Sequence, residues 1–154
     1  MRSRLALRAS PPTPPSEREL AYMAGIFDGE GSVGIYSNGH RNTVFLRLQV
    51  ANTSLLLMEW LEERFGGSVY TRNVKDLYQQ RYDWQMRSRE AAVLLETLLP
   101  FVLIKKAQAE VALRLYSEGV MDNQHHGRGH PVPATELQRR RGLVEELKAL
   151  KKGA

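Results

Sequence analysis

The chain has 154 residues, of which 42% are hydrophobic, and its 22 Lys and Arg exceed its 17 Asp and Glu. The resulting net charge of +5 favours a polyanionic partner, and the length indicates one globular domain with flanking segments. The chain has no Cys, which excludes disulfides and thiolate metal sites, and no apolar run approaches the ~20 residues of a membrane span.

Residues 1–16 combine several Pro with three Arg and no acidic residue. This composition predicts a disordered, extended tail. A transit peptide is the alternative, and it would place the protein in an organelle rather than in the cytoplasm or nucleoid. Ser16 is a suitable N-cap for the first helix, which we predict to run to about Glu30.

Three small residues follow one face of this first helix. Ala21, Gly25 and Gly29 recur at four-residue spacing, so they form a smooth, narrow surface. Gly costs ~1 kcal/mol relative to Ala in a helix interior, so its repetition indicates close approach of a second backbone.

Acidic residues occupy the carboxy-terminal end of the same helix. Asp28 and Glu30 lie where the helix dipole disfavours a carboxylate by ~0.3–1 kcal/mol. Acid in this position indicates that a cation binds there.

Two hairpins and several helices follow in a regular order. Strands are predicted over 32–36 and 43–51, joined by an Asn-Gly turn, then a helix over 53–65. A second hairpin spans 68–72 and 78–87, before helices over 88–98 and 104–117. We therefore predict a tail over 1–16, a core domain over 17–118, a loop over 119–134 and a helix over 135–154.

One face of the predicted sheet is polar in a way that suits base recognition. Arg can pair with guanine, Gln with adenine, and Asp can accept from cytosine, so their mixture favours base readout over phosphate binding. Solvated strand residues are the alternative. The predicted outward set is Arg47, Gln49, Gln79, Arg81, Asp83, Gln85 and Arg87. In the third strand, both Val69 with Thr71 and Tyr70 with Arg72 are candidate outward pairs.

Residues 23–31, which read MAGIFDGEG, resemble the LAGLIDADG motif of homing endonucleases, and the element order matches the αββαββα unit of that family. The resemblance covers about residues 18–117 and implies an α+β fold with a four-stranded antiparallel, saddle-shaped sheet and additional C-terminal helices. Because the chain has one motif, the resemblance implies the single-motif, homodimeric type. The motif helices then form the interface, here Ala21, Ala24, Gly25, Asp28 and Gly29.

The same resemblance implies a catalytic centre. The final acidic residue of the motif, Glu30, binds a divalent metal, with the Gly29 carbonyl as a further ligand. Mg²⁺ is the expected ion, and Mn²⁺ or Ca²⁺ can occupy such a site. Gln49 on the second strand and Lys105 before the helix that follows the Pro-Phe turn would surround the reacting water and phosphate, with Lys106 as the adjacent alternative.

The resemblance also assigns the polar sheet face to the major groove of double-stranded DNA. Tyr36, Asn38, His40 and Arg41 would lie near the outer edge of the site. The remaining predicted contacts along the groove are Thr43, Arg47, Thr71, Arg81, Asp83, Gln85 and Arg87. The implied function is site-specific cleavage of a long pseudo-palindromic site, one phosphodiester in each strand, with short 3′ overhangs, as in intron homing.

Two alternatives stay open on the same fold: a noncatalytic DNA-binding regulator and an RNA splicing maturase.

Two further segments have open assignments. His125, His126 and His130 lie in a Gly- and Pro-rich stretch, which favours a loop near DNA over a metal site because nearby ligands are few. The last helix carries both Arg or Lys and Glu, so phosphate binding and a solvated amphipathic helix are equally good interpretations.

Overall fold

The computed structural model describes residues 13–37, 44–72, 80–117 and 132–153. The chain forms an α+β fold, and the predicted αββαββα order with additional C-terminal helices is confirmed. The elements in chain order are α1 Glu17–Glu30, β1 Gly31–Ser37, β2 Val44–Asn52, α2 Leu55–Phe65, β3 Ser68–Arg72, β4 Arg81–Arg87, α3 Ser88–Leu98, α4 Lys106–Ser117 and α5 Ala134–Gly153.

The strands form an antiparallel sheet in the order β1-β2-β4-β3. In the first hairpin Val33 lies opposite Leu48, and in the centre of the sheet Leu48 lies opposite Met86. Side chains alternate between the two faces of a strand, so this register places the apolar positions of every strand on one face and the polar positions on the other.

The hydrophobic core lies between the apolar face of the sheet and the helices. Trp84, Phe27, Met23, Leu46 and Leu48 are its largest fully buried side chains. Helices α1, α2 and α3 all contact β2, and α4 contacts β1 and α5. Helices therefore cover the apolar sheet face.

Local signals in the sequence explain where the first two helices begin and end. Ser16 caps α1 in a reciprocal capping box with Glu19, as its position predicted. Helix α2 ends at Gly66, which has φ of +84°, and Gly67 follows with φ of +81°. Both glycines turn the chain into β3 through a left-handed backbone conformation that other residues adopt only with strain.

A few boundaries differ from the predictions. β4 begins at Arg81 and α4 at Lys106, each a few residues later than predicted, and α5 begins at Ala134. The hairpin turns and the His-rich stretch lie outside the described residues, as does most of the predicted tail. None of the described helices combines the length and apolar character needed to cross a membrane.

Candidate nuclease centre and nucleic-acid interface

Glu30 ends α1 and meets the end of β2. Its Oε2 accepts a short hydrogen bond from Nδ2 of Asn52, the last residue of β2. The other end of the Asn52 amide is also held, since Oδ1 accepts from the Ser54 backbone N–H at 2.8 Å. Asn52 thus links the exposed Glu30 carboxylate to the turn that opens α2.

Lys105, in the segment before α4, also contacts the end of α1. Its Nζ donates to the carbonyl oxygens of Phe27 at 2.9 Å and Asp28 at 2.5 Å. The Phe27 carbonyl also accepts the backbone N–H of Gly31, the C-cap of α1. Both carbonyls lie at the negative end of the helix dipole, so an ammonium group is favourable there. This contact places a positive charge within two residues of Glu30 in the chain.

Asp28 fixes the segment that carries Lys105. Its two carboxylate oxygens accept from the backbone N–H groups of Leu103, at 2.8 Å, and Lys105, at 3.0 Å. This pair of bonds holds the segment before α4 against the end of α1. The carboxylate that was predicted to lie in a dimer interface therefore has an intramolecular partner as well.

The surroundings of Lys105 change its proton affinity. Burial lowers the pKa of the Lys105 ammonium below its ordinary value, and the nearby Asp28 carboxylate opposes that change. The charge of Lys151, near the end of α5, acts in the same direction as burial.

The narrow face of α1 is exposed in the single chain. Ala21, Gly25 and Gly29 are exposed, and a Cβ built on either glycine would meet no described atom within 4 Å. Ala24 differs, because it is 0% exposed and packs in the chain's own core. Its prediction as an interface residue is therefore wrong: it lies on the buried side of the helix, one position from Gly25.

The oxygen donors at this end of α1 suit a hard divalent cation. Glu30 supplies a carboxylate, and the Gly29 carbonyl is one of the terminal helix carbonyls without an intrahelical partner. The described residues contain no group of three or more His, Cys, Asp or Glu able to hold a metal.

The polar face of the sheet forms rows across the strands. Gln49 lies opposite both Ser32 and Gln85, and Arg47 lies opposite both Gly34 and Arg87. Tyr36 lies opposite Phe45 in the next row. The predicted polar residues Arg47, Gln49, Gln85 and Arg87 therefore share one face, whereas Gln79 lies outside the described residues.

The register of β3 decides which of its residues belong to that face. Tyr70 pairs with Asp83 and Arg72 with Arg81, whereas Thr71 pairs with Tyr82 on the apolar side. The Tyr70 and Arg72 alternative is therefore correct. Thr71 is exposed, but the register places it on the opposite face from the predicted one, because successive residues of a strand alternate between the two faces.

Asp83 lies on the polar face but is not exposed. It is 4% exposed, and its Oδ2 lies 2.8 Å from Nε of Arg72. The prediction that Asp83 is exposed on this face is therefore wrong, because Arg72 of the neighbouring strand pairs with its carboxylate. Four other predicted DNA contacts, Asn38, His40, Arg41 and Thr43, lie outside the described residues.

The sequence prediction chose Gln49 and overlooked Asn52. Gln49 stands three residues earlier in β2, in the row of Ser32 and Gln85, and none of its hydrogen bonds within the described ranges reaches Glu30. The position of Glu30 in the sequence could have pointed to Asn52. Glu30 directly precedes β1, and in an antiparallel hairpin the start of β1 lies beside the carboxy-terminal end of β2.

No protein-family model and no curated protein sequence matches the chain. Solved structures do. The homing endonuclease I-CvuI in complex with its target in the presence of Ca²⁺ matches with a TM-score of 0.69 and 21% identity, over 86% of this chain and 82% of that chain. The archaeal intron-encoded homing endonuclease I-Vdi141I, complexed with DNA, matches with a TM-score of 0.68 and 16% identity, over 87% and 84%.

A third structure, the LAGLIDADG homing endonuclease I-GzeII in complex with a DNA target, matches with a TM-score of 0.63 and 23% identity. The match covers 81% of this chain but 43% of that one. The chain has the fold of the LAGLIDADG homing endonucleases, as its motif predicted.

Proposed function

We propose that the protein is a site-specific DNA endonuclease of the LAGLIDADG homing type, which acts as a homodimer and depends on a divalent cation, Mg²⁺ in the cell. The observation that carries the proposal is the convergence of Glu30, Asn52 and Lys105 at the end of α1, beside an exposed face of small residues. A separate polar sheet face, rich in Arg and Gln, suits the recognition of duplex DNA.

The roles of the residues follow from their chemistry. Glu30 and the Gly29 carbonyl would hold the cation, which when bound activates a water and neutralises charge on the scissile phosphate. Asn52 orients the Glu30 carboxylate by its hydrogen bond. Lys105, fixed by the carbonyls of α1, supplies a positive charge for the phosphate or the leaving 3′ oxygen.

Dimerisation would complete the centre. One carboxylate per chain is a poor metal site, and two copies related by a two-fold axis would bring two Glu30 side chains together. The exposed Ala21, Gly25 and Gly29 leave room for two helices to approach closely. Each subunit would then cut one strand of a pseudo-palindromic site and leave short 3′ overhangs.

The test compares the wild-type protein with Glu30→Gln on a plasmid that carries the uninterrupted host locus. The wild type should linearise the plasmid with Mg²⁺ and not with EDTA. Glu30→Gln should bind the same duplex but cut it about 10²-fold more slowly or worse, because the charge stabilisation of a bound metal is worth several kcal/mol.

The alternatives give other outcomes. Binding to the locus without cleavage by the wild type in Mg²⁺ would contradict the nuclease and favour a noncatalytic regulator. Tight binding to the host intron RNA, with no binding to the duplex locus, would favour a maturase. If the protein bound to a duplex that it cleaves has the mass of a single chain, the proposal that it acts as a homodimer is wrong.

A further inference from the structure

Two arginines face each other at the centre of the polar sheet face. Arg47 on β2 and Arg87 on β4 are direct Cα partners in the register. Like charges directly opposite on neighbouring strands destabilise a sheet. No described carboxylate lies within salt-bridge distance of either arginine. Arg87 donates one hydrogen bond, from Nη2 to Oε1 of Gln85 at 3.1 Å, so the two like charges face each other without a carboxylate to neutralise them.

Aromatic rings support both guanidinium groups. The Arg47 guanidinium carbon lies 3.8 Å from the ring centroid of Tyr36, and that of Arg87 lies 5.6 Å from the centroid of Phe45. The two rings are themselves neighbours, with centroids 5.9 Å apart. We call these four side chains the arginine–aromatic cluster.

Gly34 sets the position of the Tyr36 ring. A Cβ at Gly34 would lie 2.5 Å from Cε2 of Tyr36, so the ring occupies the space that a side chain would need. Gly34 is also the direct strand partner of Arg47. The absent side chain therefore leaves room for the Tyr36 ring next to the Arg47 guanidinium group.

Arg47 is held without an acceptor. Its Nε is buried and has no hydrogen-bond partner among the described residues. The guanidinium orientation is thus determined by stacking and burial. Arg72 is a contrast on the same face, since its Nε is paired with the Asp83 carboxylate at 2.8 Å.

We propose that the arginine–aromatic cluster reads guanine: Arg47, and beside it Arg87, donate to the major-groove acceptors of guanines in neighbouring base pairs of each half-site, and Gly34 and Tyr36 are the positioning residues for Arg47. The proposal rests on the proposed function, in which this face enters the groove. A stacked guanidinium presents a rigid, planar fork, which is the geometry that pairs with O6 and N7 of guanine.

The position of the cluster favours bases over phosphates. Arg47 and Arg87 are on the two inner strands, so they lie at the middle of the face that would meet the floor of the groove. Arg47 stands five residues before Asn52, or roughly 17 Å along the strand. The guanines would therefore lie several base pairs outside the cleavage site.

The test is selection of bound duplexes from a randomised library in Ca²⁺, with the wild type and four variants. The wild type should select guanine at two neighbouring base pairs, symmetrically in each half-site. Arg47→Lys should lower the preference at one of them by about five- to 150-fold, the range for one bidentate pair. Tyr36→Leu and Gly34→Ala should weaken the same position, whereas Tyr36→Phe should retain the wild-type bases because it keeps the ring.

The outcomes separate the two proposals. If the wild type selects no sequence, the site-specific function fails and this inference with it. Another outcome is that the wild type selects a defined site in which the base pair that responds to Arg47→Lys contains no guanine. In that case only the guanine assignment fails, and the site-specific function stands. A uniform loss of affinity on all duplexes, with a salt slope reduced by about one, would make Arg47 a phosphate contact and overturn the proposal. Circular dichroism of each variant identifies any loss of folding, and Tyr36→Leu tests the positioning role if Gly34→Ala unfolds.

Discussion

The side-chain amide of Asn52 donates to the carboxylate of Glu30 and so joins the last residue of β2 to the last residue of α1. This contact between elements distant in sequence makes Asn52 the residue best placed to orient the proposed metal ligand. Partners of metal ligands typically change affinity or activity by 10–100-fold when they are removed.

Asn52→Ala should therefore slow cleavage by about 10–100-fold while the protein still binds its target. Ser54→Ala is the matched control, because it removes the hydroxyl that accepts from the Leu57 N–H at the same turn but leaves the Glu30 contact intact. Single-turnover cleavage on saturating protein measures the rate. Equal loss in both variants would show that the turn, rather than the amide, matters.

Gln49→Ala should act on site preference rather than on rate. Gln49 lies in a row of the polar sheet face with Ser32 and Gln85, and the hydrogen bond to Glu30 comes from Asn52 instead. A drop in the single-turnover rate on the best site comparable with that of Asn52→Ala would restore the catalytic role that the sequence suggested for Gln49.

Lys105→Met should reduce cleavage by about 10²-fold or more, because it removes a fixed positive charge from the reacting phosphate. Its neighbour Lys106 is exposed and has no described contact with the end of α1, so Lys106→Met is the matched control and should change the rate by only a few-fold. Cleavage rates at saturating protein distinguish loss of catalysis from loss of binding. If Lys106→Met slows cleavage more than Lys105→Met does, the catalytic role belongs to Lys106.

Gly25→Leu should weaken dimerisation without unfolding the chain, since the position is exposed and open in the single chain. Gly142→Leu in α5 is the control, because that glycine is also exposed and open but lies on a different helix. Sedimentation velocity over a range of concentrations reports the mass. If Gly25→Leu dimerises as strongly as the wild type, the α1 face is not the interface.

Acid should destabilise the fold partly through Glu19. The Arg64 side-chain hydrogen bond, with help from the Ser16 backbone, lowers the pKa of Glu19 from 4.5 to about 2. The folded-state pKa is depressed, so the stabilisation is fully present above pH 4.5 and is lost as the pH falls from there toward about 2.

Glu19→Gln should accordingly lower the melting temperature at neutral pH, and the difference from the wild type should shrink as the pH approaches about 2. Thermal melts across that range measure the difference. A constant gap between the two proteins would mean that the Glu19 carboxylate contributes through its shape or cap geometry and not through its charge.

The sequence by itself determined the order and type of the elements, the α1 face of Ala21, Gly25 and Gly29, and the apolar and polar faces of β2. These features follow from spacing within one element, where helical and strand periods fix which residues are neighbours. The sequence also identified Lys105 as a candidate site residue, because the short motif around it resembles the family pattern.

Only the tertiary structure decided which residues meet between elements. Asn52 contacts Glu30 because β2 folds back on β1, and Thr71 lies on the face opposite Tyr70 and Arg72 because β3 pairs with β4 in one register and not in the next. Ala24 is buried because α1 packs into the core along the side that carries Met23, Ala24 and Phe27. Pairing and packing join residues that are far apart in the chain, so no local period encodes them.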